Sequence, residues 1–330
     1  MKLKSKIHSA LALAKVKFLG KRIPLAVRWQ LTNRCPNRCL YCNIWNEPAE
    51  ELTTEEIFFI LDELKELGTQ RISFSGGEPM LRKDIGEILN YAREKGISTG
   101  MNSCGILIPE KIKEIKSLDL LKISLDGPEE VHDKLCGRPG GYKQAITAIK
   151  IAQDNGIKVT LATTLTKYNL QSVNFLVETA QRFHTMVAFQ PLKDIYRGIK
   201  DYKSLYPELE EWKRTVERLI ELKKESPESM RNSLVGLKHI YHWPRYKRLK
   251  CWAGRIFCII ETNGDLYPCD RIDYPTPELP NVKELGFKKA FTNLPTVHCS
   301  GCGFCGALEL NFLLSFKWST IPVLWRVTGK

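Results

Sequence analysis

Cysteine carries most of the distinctive chemistry in this chain. Cys35, Cys39 and Cys42 fall in one short loop, spaced C-x3-C-x2-C. Cys251, Cys258 and Cys269 form a looser group, and Cys299, Cys302 and Cys305 make two overlapping C-x2-C pairs. Cys104 and Cys136 have no such spacing and read as buried thiols. Short spacing lets one turn aim several sulfurs at one centre. Zinc takes four ligands in a closed tetrahedron. Three thiols in one loop, with no histidine among them, leave a position open. An iron–sulfur cluster is held by thiolates, and a cubane with three protein ligands keeps one iron free. The six C-terminal cysteines suit a four-cysteine site of iron–sulfur or zinc.

Four polar motifs accompany the first cysteine loop. Ser75-Gly76-Gly77-Glu78-Pro79 combines two residues without side chains, which let backbone approach a ligand, with an acid suited to an ammonium group. Alone, it is a tight turn with a helix-starting proline. Ser124-Leu125-Asp126-Gly127 offers two oxygen side chains for ribose hydroxyls, or an Asx turn. Arg138, after Gly137, offers a planar fork for a carboxylate, or is a surface arginine. Arg28 stands seven residues before Cys35 and points to an anionic ligand or a structural ion pair.

These residues need a scaffold, and the apolar pattern of residues 24–192 supplies one. Alternating segments predict strands near 25–32, 71–75, 97–102, 120–125, 158–164 and 186–191, with helices between. The first helix runs from about 54 to 67, with Thr53 or Thr54 as its N-cap and acids in its first turn. Six βα units fit a parallel sheet, in which ligands gather at the C-terminal strand ends. The first cysteine loop, Ser75–Pro79, Ser124–Gly127 and Gly137-Arg138 fall at or after such ends. Asn102, Thr164 and Gln190 end strands too and join the candidate ligand-binding residues.

Cys35-Pro36-Asn37-Arg38-Cys39-Leu40-Tyr41-Cys42 resembles the signature of radical S-adenosylmethionine (SAM) enzymes, with Tyr41 as the aromatic before the third cysteine. Gly76-Gly77-Glu78-Pro79 looks like that family's GGE motif, Ser124 and Asp126 like its sugar-contacting motif, and Arg138 follows at the expected distance. Asn102-Ser103-Cys104 stands where the family often has Thr-Asn-Gly. The resemblance implies an α/β fold, a six-stranded (βα)6 partial TIM barrel. It assigns Cys35, Cys39 and Cys42 to a [4Fe–4S] cluster. It assigns SAM to Tyr41, Gly76, Gly77, Glu78, Pro79, Asn102, Ser124, Asp126, Arg138, Thr164 and Gln190. Residues 251–306, with an Asn-Gly turn between Cys258 and Cys269, resemble the SPASM or twitch extension, a small C-terminal domain that binds auxiliary [4Fe–4S] clusters. Cys251, Cys258 and Cys269 are its expected ligands. Cys305 is expected as the fourth, with Cys299 or Cys302 as rivals. Structural zinc is the alternative.

The remainder is organised around that core. Residues 1–23 form a basic helix, 193–250 a helical connector or lid, and 307–330 an apolar tail. The chain has 330 residues and a net charge of +13, with 43% hydrophobic and 26% charged residues, which excludes a disordered chain or a disulfide mini-protein. Residues 1–22 carry Lys2, Lys4, Lys6, Lys15, Lys17, Lys21 and Arg22 without an acid. Helical spacing puts Leu3, Ile7, Ala10, Leu11, Ala14 and Phe18 on one face. That face suits a lipid interface with snorkelling lysines, or packing on the main domain. No secretory signal is recognisable, so the expected location is cytoplasmic, with peripheral contact at the inner membrane face through residues 1–22.

The resemblance implies reductive cleavage of SAM, a 5′-deoxyadenosyl radical and hydrogen abstraction from a substrate. An electron donor such as ferredoxin or flavodoxin is implied as partner. A peptide or protein substrate stands slightly ahead of a membrane-associated lipid, isoprenoid or glycolipid. The other classes are an electron-transfer iron–sulfur protein and a zinc protein. No nucleic-acid partner is expected, since no basic-aromatic recognition motif is present.

Overall fold

The structure is a computed structural model and describes residues 3–192, 202–269, 279–295 and 302–321. Eight strands form one sheet among these residues, in the order β6-β5-β4-β3-β2-β1-β7-β8. They are β1 (Ala26–Thr32), β2 (Arg71–Gly76), β3 (Ser98–Ser103), β4 (Leu120–Ser124), β5 (Lys158–Leu165), β6 (Met186–Pro191), β7 (Phe257–Ile260) and β8 (Leu266–Tyr267). The first seven run parallel, and β8 returns antiparallel to β7. Helices α1 (Leu3–Leu19), α2 (Thr54–Glu66), α3 (Ile85–Glu94), α4 (Ile108–Lys111), α5 (Glu129–Cys136), α6 (Gly141–Asp154) and α7 (Val173–Arg182) precede or separate the first six strands. Beyond β6 come α8 (Leu209–Glu225), α9 (Leu234–Ile240), α10 (Val282–Leu285), α11 (Phe287–Thr292) and α12 (Cys305–Leu314).

All six expected strands are present, within about two residues of the expected ends. The count is corrected from six to eight. The segment expected as a separate small domain instead inserts its hairpin beside β1, pairing Val27 with Cys258 and Trp29 with Ile260. Exposed β1 edge groups need partners, and β7 supplies them.

The two sheet faces differ in chemistry. Val27, Trp29, Leu31, Ile72, Phe74, Met101, Leu121 and Ile123 pack with α2, α3, α6 and α7 side chains in the main core. The alternate residues, Arg28, Ser73, Ser75, Asn102, Lys122 and Ser124, turn to the inner face, as side chains two apart in a strand must. α12 covers that face: it packs on β6 and α9, while Ala307 and Leu314 join a second core with Leu25, Trp252, Ile256 and Phe257. α2 starts with a complete capping box, Thr53 and Glu56 bonding each other's backbone N–H.

The basic N-terminal helix is present, but its faces differ from expectation. Ala12 and Val16 are buried in the second core, while Leu11 and Phe18 are 57% and 69% exposed and Ala10 and Ala14 are exposed. The side chains of Leu3 and Ile7, which share the expected stripe, lie outside the described residues, as do Cys299 and residues 193–201.

Candidate functional site

The cysteine loop follows β1 directly, and its neighbours hold it at the C-terminal strand ends. Arg38 N–H and Leu40 N–H donate to the carbonyls of Cys136 and Leu135 at the end of α5 (3.1 and 2.9 Å). Gly137 ends that helix with φ +62°, and a Cβ there would lie 2.4 Å from the Arg38 carbonyl oxygen. On the other side, Gly77 and Glu78 N–H donate to the carbonyls of Thr32 and Arg34 at 2.7 and 2.8 Å. A Cβ on Gly76 or Gly77 would stand 2.2 Å from those same carbonyl oxygens. These glycines therefore bring two backbones together, the β2 end and the cysteine loop.

The thiols of Cys35, Cys39 and Cys42 lie close enough to influence one another electrostatically. Burial pushes the Cys35 thiol up to about 11, with Glu78 and Cys42 adding to it and Arg38 opposing, and it pushes Cys39 well up too. Buried thiols keep their protons, and a coordinating metal lowers the thiol pKa so that the proton passes to solvent. Among the described residues, no three acid, histidine or cysteine side chains converge as one bare metal ion requires. Three neighbouring thiols with no histidine among them suit a cluster, in which each thiolate takes its own iron.

Around the loop, the motif side chains tie strand ends together. Glu78 is fully buried, and its carboxylate accepts from Met80 N, Ser103 Oγ and Cys104 N at 3.2, 3.0 and 2.8 Å. Burial raises its pKa against those bonds. Pro79 opens a short 3-10 turn behind it. Asp126 is likewise buried; it accepts from Tyr41 OH at 2.5 Å and Thr164 N at 3.0 Å, linking the cysteine loop to β4 and β5. Burial raises its pKa, while His132, Tyr41 and Thr164 oppose the rise. His132 Nδ1 accepts from Asp126 N at 3.1 Å, and Asn169 donates to the Asp126 carbonyl at 3.0 Å. Glu78 and Asp126 thus act as braces whose oxygens already have protein partners.

Other candidate residues keep capacity for a ligand. Asn102 ends β3 on the inner face, and its Oδ1 is buried without a hydrogen-bond partner. Arg138 reaches the cysteine loop, donating to the Pro36 carbonyl at 3.3 Å and to Gln144 Oε1 at 3.2 Å. Ser124 lies beside Ala162 in β5, and Gln190 donates to Thr164 Oγ1 at 3.3 Å. An unpartnered buried amide oxygen on the inner face fits a polar ligand there. A cleft of about 770 Å³ lies at the opposite strand ends, lined by Leu120, Lys158 and Met186 among others, and includes none of these residues.

Two thiols assigned to plain burial stand at the site. Cys104 lies near Glu78 and Cys35, and Cys136 near Cys39 and Asp126. Their sequence signal is adjacency: Cys104 follows Asn102-Ser103, and Cys136 precedes Gly137-Arg138.

The C-terminal cysteines divide between two faces. Cys251, Cys269 and Cys302 pack against the second core. Cys258 lies in the main core beyond the sheet, where burial alone raises its thiol pKa. The hairpin forms as expected but does not bring Cys258 to Cys269. Ile259 pairs with Tyr267, so Cys269 comes opposite Phe257, one residue out of phase with Cys258. Cys305 starts α12, with its Sγ 3.9 Å from Gln190 Oε1 on the inner face.

A family model described as Radical SAM superfamily matches residues 29–180. PqqA peptide cyclase from Granulibacter bethesdensis is 30% identical over 291 residues, covering 82% of this chain and 75% of that protein. Fe-coproporphyrin III synthase from Methanosarcina barkeri is 37% identical over 165 residues, 48% of this chain, and the match spans only 41% of that protein. Native anSMEcpe, solved with bound AdoMet and the Cp18Cys peptide, superposes with a TM-score of 0.66 at 16% identity, over 91% of this chain and 99% of that one, which shows the fold. The strand-end cysteine loop, the glycine approach that holds it and the matched sequence agree: the chain belongs to the radical SAM superfamily, enzymes whose cofactors are a [4Fe–4S] cluster and SAM.

Proposed function

We propose that this radical SAM enzyme matures a peptide or protein substrate. The observation that carries the reading is the proximity of the Cys35, Cys39 and Cys42 thiols in one loop at the strand ends. It is supported by similarity to a peptide cyclase over most of the chain. Cys35, Cys39 and Cys42 would hold the cluster. Asn102, Ser124, Arg138, Thr164 and Gln190 would orient SAM, with Arg138 matched to its carboxylate. Tyr41, Gly76, Gly77, Glu78, Pro79 and Asp126 would serve that site mainly by fixing the loop against the strand ends. When bound, the cluster and SAM supply one-electron cleavage and hydrogen abstraction, with the electron coming from a donor such as ferredoxin or flavodoxin. The protein's share is orientation and exclusion of water.

An auxiliary cluster is part of the proposal. Cys251, Cys269 and Cys302 are its best-placed ligands, and Cys258 drops behind them because it faces the other core. A membrane-side location is the second reading, favoured by one observation. Leu11, Phe18, Leu19, Phe316 and Trp318 are each more than half exposed. Lys17 caps the Phe316 ring at 3.2 Å, joining the two groups. Among the described residues no helix is long and apolar enough to cross a membrane.

The test is 5′-deoxyadenosine formation from SAM by anaerobically reconstituted, dithionite-reduced protein. Wild type should form it. Replacing Cys35, Cys39 and Cys42 with alanine should abolish it and lower iron per chain. Native protein that carries zinc and no iron after anaerobic purification would overturn the reading.

A further inference from the structure

The inner face of the sheet holds an excess of positive charge that the reaction site does not use. Arg71 opens β2, Lys122 lies in the middle of β4, and Arg231 follows the bridge between Met230 and Val187. All three residues are half-buried. They feel one another: Arg231 and Arg71 act on Lys122, and Arg231 acts on Arg71. Arg28, on the same face, adds to the field at Lys122 and donates to Ser75 Oγ at 2.9 Å. Burial and mutual repulsion push the pKa of Lys122 well down, and burial followed by Arg231 pushes Arg71 to about 9.

Two acids act on this group from a distance, Asp119 on Arg71 and Glu309 on Arg231, but neither forms an ion pair with it. Among the described residues, no carboxylate comes within ion-pair distance of Arg71, Lys122 or Arg231. Asp119 accepts from Thr99 N at 3.0 Å, and Glu309 from Ser233 N at 2.9 Å. Lys122 makes one hydrogen bond, to Ser73 Oγ at 3.0 Å. Three like charges facing two acids that do not pair with them are costly to bury, and ordinary parallel-sheet interiors are filled with branched apolar side chains instead. Such a cluster is a site for an anion that arrives separately. Arginine forks match carboxylates two bonds at a time.

We infer that the inner sheet face, through Arg71, Lys122 and Arg231, binds carboxylate groups of the substrate. Resting on the peptide reading above, this makes the substrate segment acidic, with Asp or Glu side chains entering below the cysteine loop. The same chemistry could arrive on a small polycarboxylate. Cys305 also lies near Lys122 and Arg231, so a cluster bound there is the competing occupant.

The test is calorimetric titration of the full-chain, iron-reconstituted protein at constant ionic strength, with tetraglutamate, tetraglutamine and citrate as probes. Tetraglutamate should bind and tetraglutamine should not. Lys122→Met and Arg231→Met should each weaken tetraglutamate binding by about 10- to 100-fold. Citrate binding that the same variants weaken assigns the carboxylates to a small molecule and keeps the site. Should Lys122→Met fail to fold, Arg71→Met replaces it. No anion binding to wild type, or equal binding by the variants, overturns the inference. So does iron loss in Lys122→Met, because the cations would then serve a cluster at Cys305. SAM cleavage by wild type is measured in parallel, so failure of the radical reading would register separately.

Discussion

At Gly77 the whole allowance for a side chain is already taken. A Cβ would sit 2.2 Å from the Arg34 carbonyl oxygen and 2.7 Å from its carbon, both backbone atoms that cannot swing aside. Gly77→Ala should therefore part the β2 end from the cysteine loop, costing about 1–3 kcal/mol, and iron per chain should fall with it. Iron content and unfolding in urea, measured together, check this; unchanged iron would mean the loop holds without that contact. Tyr41→Phe makes a different point. It removes a 2.5 Å hydrogen bond from a buried carboxylate, Asp126, and an unsatisfied buried acceptor costs about 1–3 kcal/mol. Stability should drop while iron stays, since no thiol is touched. Both residues were legible as motif members. Their work was not, because a motif shows which types recur near a cofactor and not which neighbour each one touches. Glu78 illustrates this: an acid chosen by type for an ammonium spends its oxygens on Ser103, Cys104 and Met80.

Among the elements, the strands were the most readable part. Their apolar residues alternate or run together between turn residues, and the inserted helices carry the other period. What pairing β7 and β8 would find was not readable, because the signal of a hairpin lies within the hairpin while its docking edge lies over 200 residues away, in β1. The same limit hides the loop after β1. Arg82 donates to the carbonyls of Leu31 and Leu52 at 3.3 and 3.0 Å and pairs with Asp84 at 2.6 Å, anchoring the strand end that launches the cysteines. Arg82 is nearly buried, so Arg82→Met should cost about 3 kcal/mol by leaving Asp84 and two carbonyls unanswered. Burial alone would raise the pKa of Asp84, but the bonds from Arg82 and Thr54 and the charge of Arg82 bring it below its ordinary value. A depressed acid stabilises the folded state above its unfolded pKa. That contribution disappears as pH falls through the folded pKa. The stability gap between wild type and Asp84→Asn should thus be full at neutral pH and begin to narrow only below about pH 4. Urea unfolding of both proteins from pH 7 down to about pH 2 would show it, and a gap that narrows already between pH 7 and pH 5 would remove Asp84 from the anchor.

Across the whole molecule, α1 and the C-terminal end of α12 meet on one layer. α1 buries Ala12 and Val16 against Trp252, Ile256, Phe257 and Leu314, while Lys17 donates to the Leu314 carbonyl and covers Phe316. The helix was legible as amphipathic, but its packing face was not, because two small buried residues suffice where the partner surface is supplied by large ones. The exposed stripe of Leu11 and Phe18 is a second face, set off from the first by roughly 130°, a little over a third of a turn. Deleting residues 1–22 would therefore confound two effects, an uncovered core and a lost lipid contact. Single faces separate them. Val16→Asp places a charge in a fully buried position and should destabilise the protein by several kcal/mol. Leu11→Ser with Phe18→Ser changes residues already in solvent and should leave stability within about 0.5 kcal/mol. If the basic stripe meets an anionic lipid surface, the double variant should lose sedimentation with phosphatidylglycerol vesicles, which wild type keeps and phosphatidylcholine vesicles never show. Equal sedimentation of both proteins would leave α1 with packing as its whole task, and the lysines as its solvated edge.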